Sequence, residues 1–186
     1  MTKAVYFSKF QVTSQVFLKT HYSYALVNLK PLVPGHVLVV PLRTQAIRLS
    51  DLSTEESIDF FQTVQLVQKF IYWQYKADSM NIAIQDGPEA GQTVPQLHAH
   101  IIPRYKANNI GDKIYDKING WRFQEWENDR REYLKTSATA ENSLAKPDCD
   151  RKPRTLEDMS KESQDLKARL DLFLEEHSEI SFKNFI

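Results

Sequence analysis

Over its first hundred positions the chain alternates short β-branched or aromatic runs with polar, Gly- and Pro-containing turns. Tyr22–Asn28 and His36–Val40 are two such runs. The segment Lys30-Pro31-Leu32-Val33-Pro34-Gly35 separates them, so the pattern predicts two strands joined by a turn. A connection this short makes the strands antiparallel neighbours. Ser53-Thr54-Glu55-Glu56 then has the form of a capping box, and Ile58, Phe61, Val64, Val67 and Phe70 recur at helical spacing behind it. The prediction is one long helix over Thr54–Tyr75. Asn81–Gln85 and Gln96–Ile102 are the next strands, joined by the polar stretch from Asp86 to Pro95. Strand, strand, helix, strand, strand defines an α+β fold on an antiparallel sheet, with a long helix after the second major strand.

Beyond Pro103 the pattern changes. Residues 1–103 hold 8 basic and 7 acidic side chains, whereas residues 104–186 hold 16 and 17. Ile110–Ile118 and Phe123–Leu134 have the pattern of short helices. Lys135–Lys152 is rich in Ser, Thr, Ala, Asn and Asp and poor in large apolar residues, the composition of a disordered insert. Pro153-Arg154-Thr155-Leu156-Glu157-Asp158 starts a last helix, whose Leu156, Met159, Leu166, Leu170 and Phe173 predict packing back on the core. The expected organisation is therefore a main domain over 1–134, an insert over 135–152 and a C-terminal helix within 153–186.

Composition narrows the function. The 186 residues are 41% apolar, enough for one packed core, and 24 Lys and Arg balance 24 Asp and Glu. Zero net charge lacks the cationic footprint needed to hold extended nucleic acid. The single cysteine, Cys149, excludes an internal disulfide and a Cys-rich zinc module. Met1–Lys9 has no apolar signal core, and the longest apolar stretch, Val37–Leu42, is too short to span a bilayer. These features predict a protein of the cytoplasm, without a membrane partner and with nuclear entry left open.

Candidate chemistry concentrates in Pro95-Gln96-Leu97-His98-Ala99-His100-Ile101-Ile102-Pro103. Side chains two apart in a strand share a face, roughly 7 Å from one another. Gln96, His98, His100 and Ile102 thus point one way, and Leu97, Ala99 and Ile101 point into apolar packing. A row of polar groups is costly on a covered face unless each finds a partner. Three readings stay open for the two imidazoles: a satisfied structural pair, a zinc site completed by His36, or a nucleophilic histidine in phosphoryl or nucleotidyl transfer. The loop Gln85–Val94 favours the last, since its glycines let backbone N–H groups approach phosphate oxygens closely. It lacks the Gly-Lys-Ser/Thr of a Walker loop. His21 and His177 have no comparable surroundings.

Several segments together resemble the histidine-triad nucleotide hydrolases. They are Val16-Phe17-Leu18-Lys19-Thr20, Ala25-Leu26-Val27-Asn28, Lys30-Pro31, Val33-Pro34-Gly35-His36-Val37-Leu38-Val39, and Gln85–Val94 leading into His98-Ala99-His100. The likeness is to the fragile-histidine-triad branch, the bis(5′-adenosyl)-triphosphatases, and within it to fungal members. It runs from about Phe7 to Ile118 and returns more weakly over Arg154–Phe173. It implies an α+β domain that pairs into a homodimer and binds a dinucleoside polyphosphate on a sheet face. His98 falls on the family's nucleophile, which attacks the α-phosphorus and forms a nucleotidyl-histidine that water resolves to AMP. His100 and His36 fall on histidines that surround the phosphates, and Gln85 on a glutamine at the scissile region. Asn28 falls on a ribose-binding asparagine and Phe7 on an adenine-facing aromatic. Gly91, Gln92, Thr93 and Val94 fall on the phosphate-contacting loop. The resemblance implies no organic cofactor; a divalent cation, Mg²⁺ or Mn²⁺, accompanies the substrate.

One position departs from the pattern. Where the family begins its motif with a histidine, this chain has Gln96. Glutamine donates and accepts hydrogen bonds but carries no proton charge near neutral pH. If that position only orients its neighbours, catalysis survives; if it must be cationic, the barrier rises by on the order of 3 kcal/mol. Three functions therefore stay in view. The first is hydrolysis of diadenosine triphosphate to AMP and ADP, the second hydrolysis of adenosine phosphoramidates, and the third a nucleotide-binding sensor with weak turnover.

Overall fold

The computed structural model describes residues 4–106, 153–178 and 180. Its centre is a five-stranded antiparallel sheet of β3 (Val16–Lys19), β4 (Ser23–Val27), β5 (Val37–Pro41), β6 (Ser79–Ile84) and β7 (Ala99–Arg104). The spatial order is β3-β4-β5-β7-β6. Two further two-residue strands, β1 (Tyr6–Phe7) and β2 (Phe10–Gln11), form an N-terminal hairpin. α1 spans Thr54–Tyr75, the range expected from the capping box. Both halves of that box form: Ser53 Oγ accepts from Glu56 N–H at 3.2 Å, and the Ser53 N–H donates to Glu56 at 2.9 Å. α2 spans Leu156–Glu176. The short helices expected over Ile110–Ile118 and Phe123–Leu134, and the insert over 135–152, lie outside the described residues.

The two faces of the sheet are covered differently. Val37, Val39, Leu97, Ala99 and Ile101 join Phe60, Val64, Val67, Phe70 and Ile71 of α1 and Met159, Leu166, Leu170 and Phe173 of α2 in the main core. On the other face, Leu38 and Val40 join Val5, Phe7, Val12, Tyr24 and Leu26 in a second cluster. β5 is apolar on both faces, and the chain's own N-terminal segment covers the second one. The α1 stripe is also rotated from expectation: Ile58 and Phe61 are exposed, and Phe60, Thr63 and Leu66 are buried instead. Adjacent apolar pairs such as Phe60-Phe61 and Leu66-Val67 write two overlapping stripes, and the packing partners choose between them. Leu156 is likewise exposed at the start of α2.

The strand expected over Gln96–Ile102 begins only at Ala99 and continues to Arg104. Residues 96–98 spend their backbone groups elsewhere. Gln96 N–H donates to Val94 C=O at 2.8 Å and Leu97 N–H to Ala46 C=O at 2.7 Å. The sheet's two outer strands also differ. β3 carries a register shift between Val16 and Leu18, and its Val16 carbonyl accepts from Ser163 Oγ of α2 at 3.1 Å. β6 pairs with β7 alone among the described residues, and its Ile82 is 50% exposed. No described helix is long and apolar enough to cross a membrane.

Candidate active site

β7 sets the site by alternation. Ala99 and Ile101 point into the helix-covered core, so His100 takes the opposite face, where it pairs in register with Leu38 of β5 and Ala83 of β6. His98 lies just before the strand and its ring packs against His100, with centroids 5.0 Å apart. The β4–β5 connection delivers Asn28 and His36 to the same place. His36 Nε2 lies 2.9 Å from His100 Nδ1 and 3.1 Å from Asn28 Nδ2. Asn28 and His36 of the β4–β5 connection thus meet His98 and His100 in one cluster.

Hydrogen-bond direction assigns the ring protons. The Nδ1 of His98 lies 2.8 Å from the Gln96 carbonyl, which can only accept, so Nδ1 carries the hydrogen and Nε2 keeps its lone pair. Burial, the larger effect, pushes the His98 pKa down from the usual histidine value, against the smaller upward pull of this carbonyl. The ring is therefore held neutral with the Nε2 lone pair available, the state a nucleophilic histidine needs. For His36 the anchor is the Leu32 backbone N–H, which donates to Nδ1 at 3.0 Å. His36 Nε2 faces both His100 Nδ1 and the Asn28 amide nitrogen, the Asn28 Oδ1 being taken up by the Lys30 N–H. A chain of contacts thus runs from Leu32 and Asn28 through His36 to His100.

The same geometry weighs against the zinc reading. Among the described residues no three His, Cys, Asp or Glu side chains group as metal ligands. The nitrogens of His36 that would face a metal are instead engaged by Leu32 and His100.

Gln96 is fully buried, and both ends of its amide are used. Its Oε1 accepts from Ser8 N–H at 2.5 Å and its Nε2 donates to the Pro41 carbonyl at 2.7 Å. One donor and one acceptor are also what a neutral imidazole offers. Ser8 is a non-glycine residue at φ +53°, a conformation that costs about 1–2 kcal/mol. The Gln96 bond holds that turn and with it Phe7, which packs edge-on against His98 at 5.2 Å between centroids. Phe7 is itself buried in the second cluster, which ties the His98 ring to that side of the sheet.

The remaining expected residues fall around this centre. Gln85 follows β6 by one residue, next beyond the Ile84–Ala99 pair and so on the His98 side. The loop after it differs from expectation in one respect. The N–H groups of Gly91 and Gln92 are turned inward, to Pro88 C=O at 2.9 Å and Gly87 C=O at 3.1 Å, so they do not face outward as phosphate donors. The Gln92 amide donates instead to Ile47 C=O at 2.8 Å and to Gln96 C=O at 3.2 Å, the carbonyl that also holds His98. Thr93 is exposed, and Val94 packs against the second cluster. Leu32, Ser8 and Arg154 also belong to the site's support. The first two act through backbone N–H groups and the third across 126 positions, so residue type alone gave no signal for them.

A neutral, oriented imidazole on an antiparallel sheet, backed by two more histidines and an asparagine, is the arrangement of a protein that handles nucleotide phosphates through histidine. Comparison with known proteins agrees. The HIT domain profile matches residues 9–107. A bis(5′-adenosyl)-triphosphatase of Saccharomyces cerevisiae is 56% identical over 196 aligned residues, covering 94% of this chain and 95% of that one. A bis(5′-nucleosyl)-tetraphosphatase (asymmetrical) of Schizosaccharomyces pombe is 47% identical over 90% of this chain and 94% of its own. The crystal structure of Plasmodium falciparum diadenosine triphosphate hydrolase in complex with Cyclomarin A superposes with TM-score 0.64 at 28% identity. It covers 95% of this chain and 88% of that one. The chain belongs to the HIT domain family.

Proposed function

We propose that this chain hydrolyses dinucleoside polyphosphates, chiefly diadenosine triphosphate, to AMP and ADP. The observation that carries the reading is the buried His98, whose Nδ1–H is held by the Gln96 carbonyl so that Nε2 is the attacking atom. Nε2 forms a bond to the α-phosphorus, the bridging P–O bond breaks, and ADP leaves with the bridging oxygen. Water then attacks the nucleotidyl-His98, the P–N bond breaks, and AMP leaves. His100, held by His36, donates to the phosphoryl oxygens as charge gathers there, with Gln85 and the Thr93-Val94 backbone beside it. Asn28 takes the ribose and Phe7 borders the adenine. Imidazoles, amides and backbone groups form no cage for a hard cation, so Mg²⁺ or Mn²⁺ enters as part of the polyphosphate substrate and offsets its charge.

The protein works as a homodimer in the cytoplasm and, at 21.7 kDa, is small enough to enter the nucleus passively. The support for pairing is β6, whose outer side has no strand partner among the described residues and whose Ile82 stands exposed. The relatives carry both triphosphatase and tetraphosphatase names, so polyphosphate length is read by comparing rates on the two substrates. The deciding experiment incubates the protein with diadenosine triphosphate and Mg²⁺ and follows AMP and ADP, with His98→Ala alongside. Equal formation of both, abolished in the variant, is expected. Binding without either product overturns the hydrolase reading in favour of a sensor, and faster cleavage of an adenosine phosphoramidate moves the substrate class.

A further inference from the structure

The β4–β5 connection carries both Asn28 and His36, and each of its ends is gripped from the helical side of the molecule. At the Asn28 end, the Arg154 guanidinium places two N–H groups on the Asn28 carbonyl, Nε at 3.1 Å and Nη2 at 2.5 Å. The Arg154 backbone N–H donates to the next carbonyl, Leu29, at 3.0 Å. Its third nitrogen, Nη1, pairs with Glu162 of α2, an ion pair three-quarters buried on both sides. At the other end, Gly35 lies at φ +83° directly against the Tyr75 ring, and a Cβ there would come within 2.8 Å of Tyr75 Cδ2. Tyr75 closes the ring of contacts. It borders the same surface hollow as Glu162, and burial first, then the Glu162 charge, push its pKa up to about 12.

We propose that Arg154, Glu162 and Tyr75 form a positioning clamp that fixes Asn28 and His36 for nucleotide binding. None of the three meets the substrate. Arg154 holds the peptide of Asn28, Tyr75 holds Gly35 next to His36, and Glu162 ties the two holders together. The fork of Arg154 makes these bonds from fixed directions, which a lysine cannot reproduce. Because Arg154 grips the Asn28 end, where the ribose is bound, and His98 carries the bond-making, loss of the Arg154 hold shows in KM and in nucleotide affinity, with little change in kcat.

The inference rests on the hydrolase reading for its kinetic test, and AMP affinity tests it without turnover. Steady-state kinetics on diadenosine triphosphate and calorimetric AMP titration are run on the wild type, Arg154→Ala, Arg154→Lys and Glu162→Gln. They are repeated on Asn28→Ala and on the Asn28→Ala/Arg154→Ala double variant. Arg154→Ala should raise KM and weaken AMP binding about tenfold, with kcat within about threefold. Arg154→Lys should recover part of this, and millimolar guanidinium should recover part of the Arg154→Ala loss. In the Asn28→Ala background the Arg154→Ala step should add no more than about twofold, because the two act in series. Unchanged KM and AMP affinity in Arg154→Ala, or a further tenfold loss on top of Asn28→Ala, overturns the clamp. If Arg154→Ala does not fold, Glu162→Gln and Arg154→Lys decide: wild-type AMP affinity in both overturns it equally. A wild type that binds AMP but cleaves nothing would sink the hydrolase reading and leave the clamp to be judged on affinity.

Discussion

Replacing Gln96 by leucine keeps its bulk and removes both polar atoms, which leaves the Ser8 N–H and the Pro41 carbonyl without their partner. An unsatisfied buried group costs about 1–3 kcal/mol, so two cost about 3 kcal/mol after partial relaxation. For a chain of this size that lowers Tm by about 6–12 °C. The effect reaches the site, because the Gln96 bond is what holds Ser8 at φ +53° and Phe7 against His98. Gln96→His behaves differently. A neutral imidazole still offers one donor to Pro41 and one acceptor to Ser8, so stability should stay within about 1 kcal/mol and kcat within tenfold of the wild type. The assay pairs thermal denaturation with product release from diadenosine triphosphate, and a quenched-flow burst reports the nucleotidyl-His98. His98→Ala should abolish the burst, whereas Gln96→Leu should retain it at reduced amplitude. Equal melting of the leucine and histidine variants would refute the claim that the amide holds the turn. Equal loss of activity in Gln96→Ala and His98→Ala would refute the claim that position 96 only orients.

Burial lowers the His98 pKa, so the unfolded chain takes up a proton at higher pH than the folded one. The contribution to stability is intact above the ordinary histidine value of about 6.5 and is lost as pH falls from there through the folded value. The acid limb of kcat/KM should accordingly fall below pH 6.5, and a midpoint at or above that value in a pH–rate profile contradicts it. Gly35→Ala forces a side chain into a positive-φ position against the Tyr75 ring. It should cost about 2–4 kcal/mol in denaturant unfolding and raise KM, while a neutral result would mean that the turn relaxes freely. Ile82→Glu should shift the protein from dimer to monomer in light scattering, and an unchanged dimer removes β6 from the interface. On the proposed reading, in which the cation travels with the substrate, chelation by EDTA should slow cleavage while leaving the fold's melting unchanged; a drop in Tm would point to a resident ion.

What the sequence shows and what it hides divides along contact distance. The ends of α1 were legible because Ser53 and Glu56 write its start locally. The spacing of His98 and His100 placed them beside one another, and alternation placed Leu97, Ala99 and Ile101 in the core. The bonds that give Gln96 its role reach Ser8 and Pro41, 88 and 55 positions away, and no local pattern signals them. Arg154 in isolation is a charge before a helix, and its hold on Asn28 exists only once α2 has folded back. The inward turn of the Gly91 and Gln92 N–H groups was hidden for a different reason. Glycine-rich segments permit several turns, and the one adopted follows from bonds to Gly87 and Pro88 that the composition does not rank.

The two outer strands of the sheet also bear on how large an assembly this chain can build. At β3 the register shift and the Ser163 hydroxyl on the Val16 carbonyl spoil the ladder that an incoming strand would need. β6 has a regular register along its whole length and no strand on its outer side among the described residues. A sheet with one receptive border and one blunted border can grow in a single direction, and two copies meeting border to border through a two-fold axis use up that direction at once. In the proposed dimer, pairing through β6 would be self-limiting: it would close at two chains and leave, among the described residues, only the blunted β3 border.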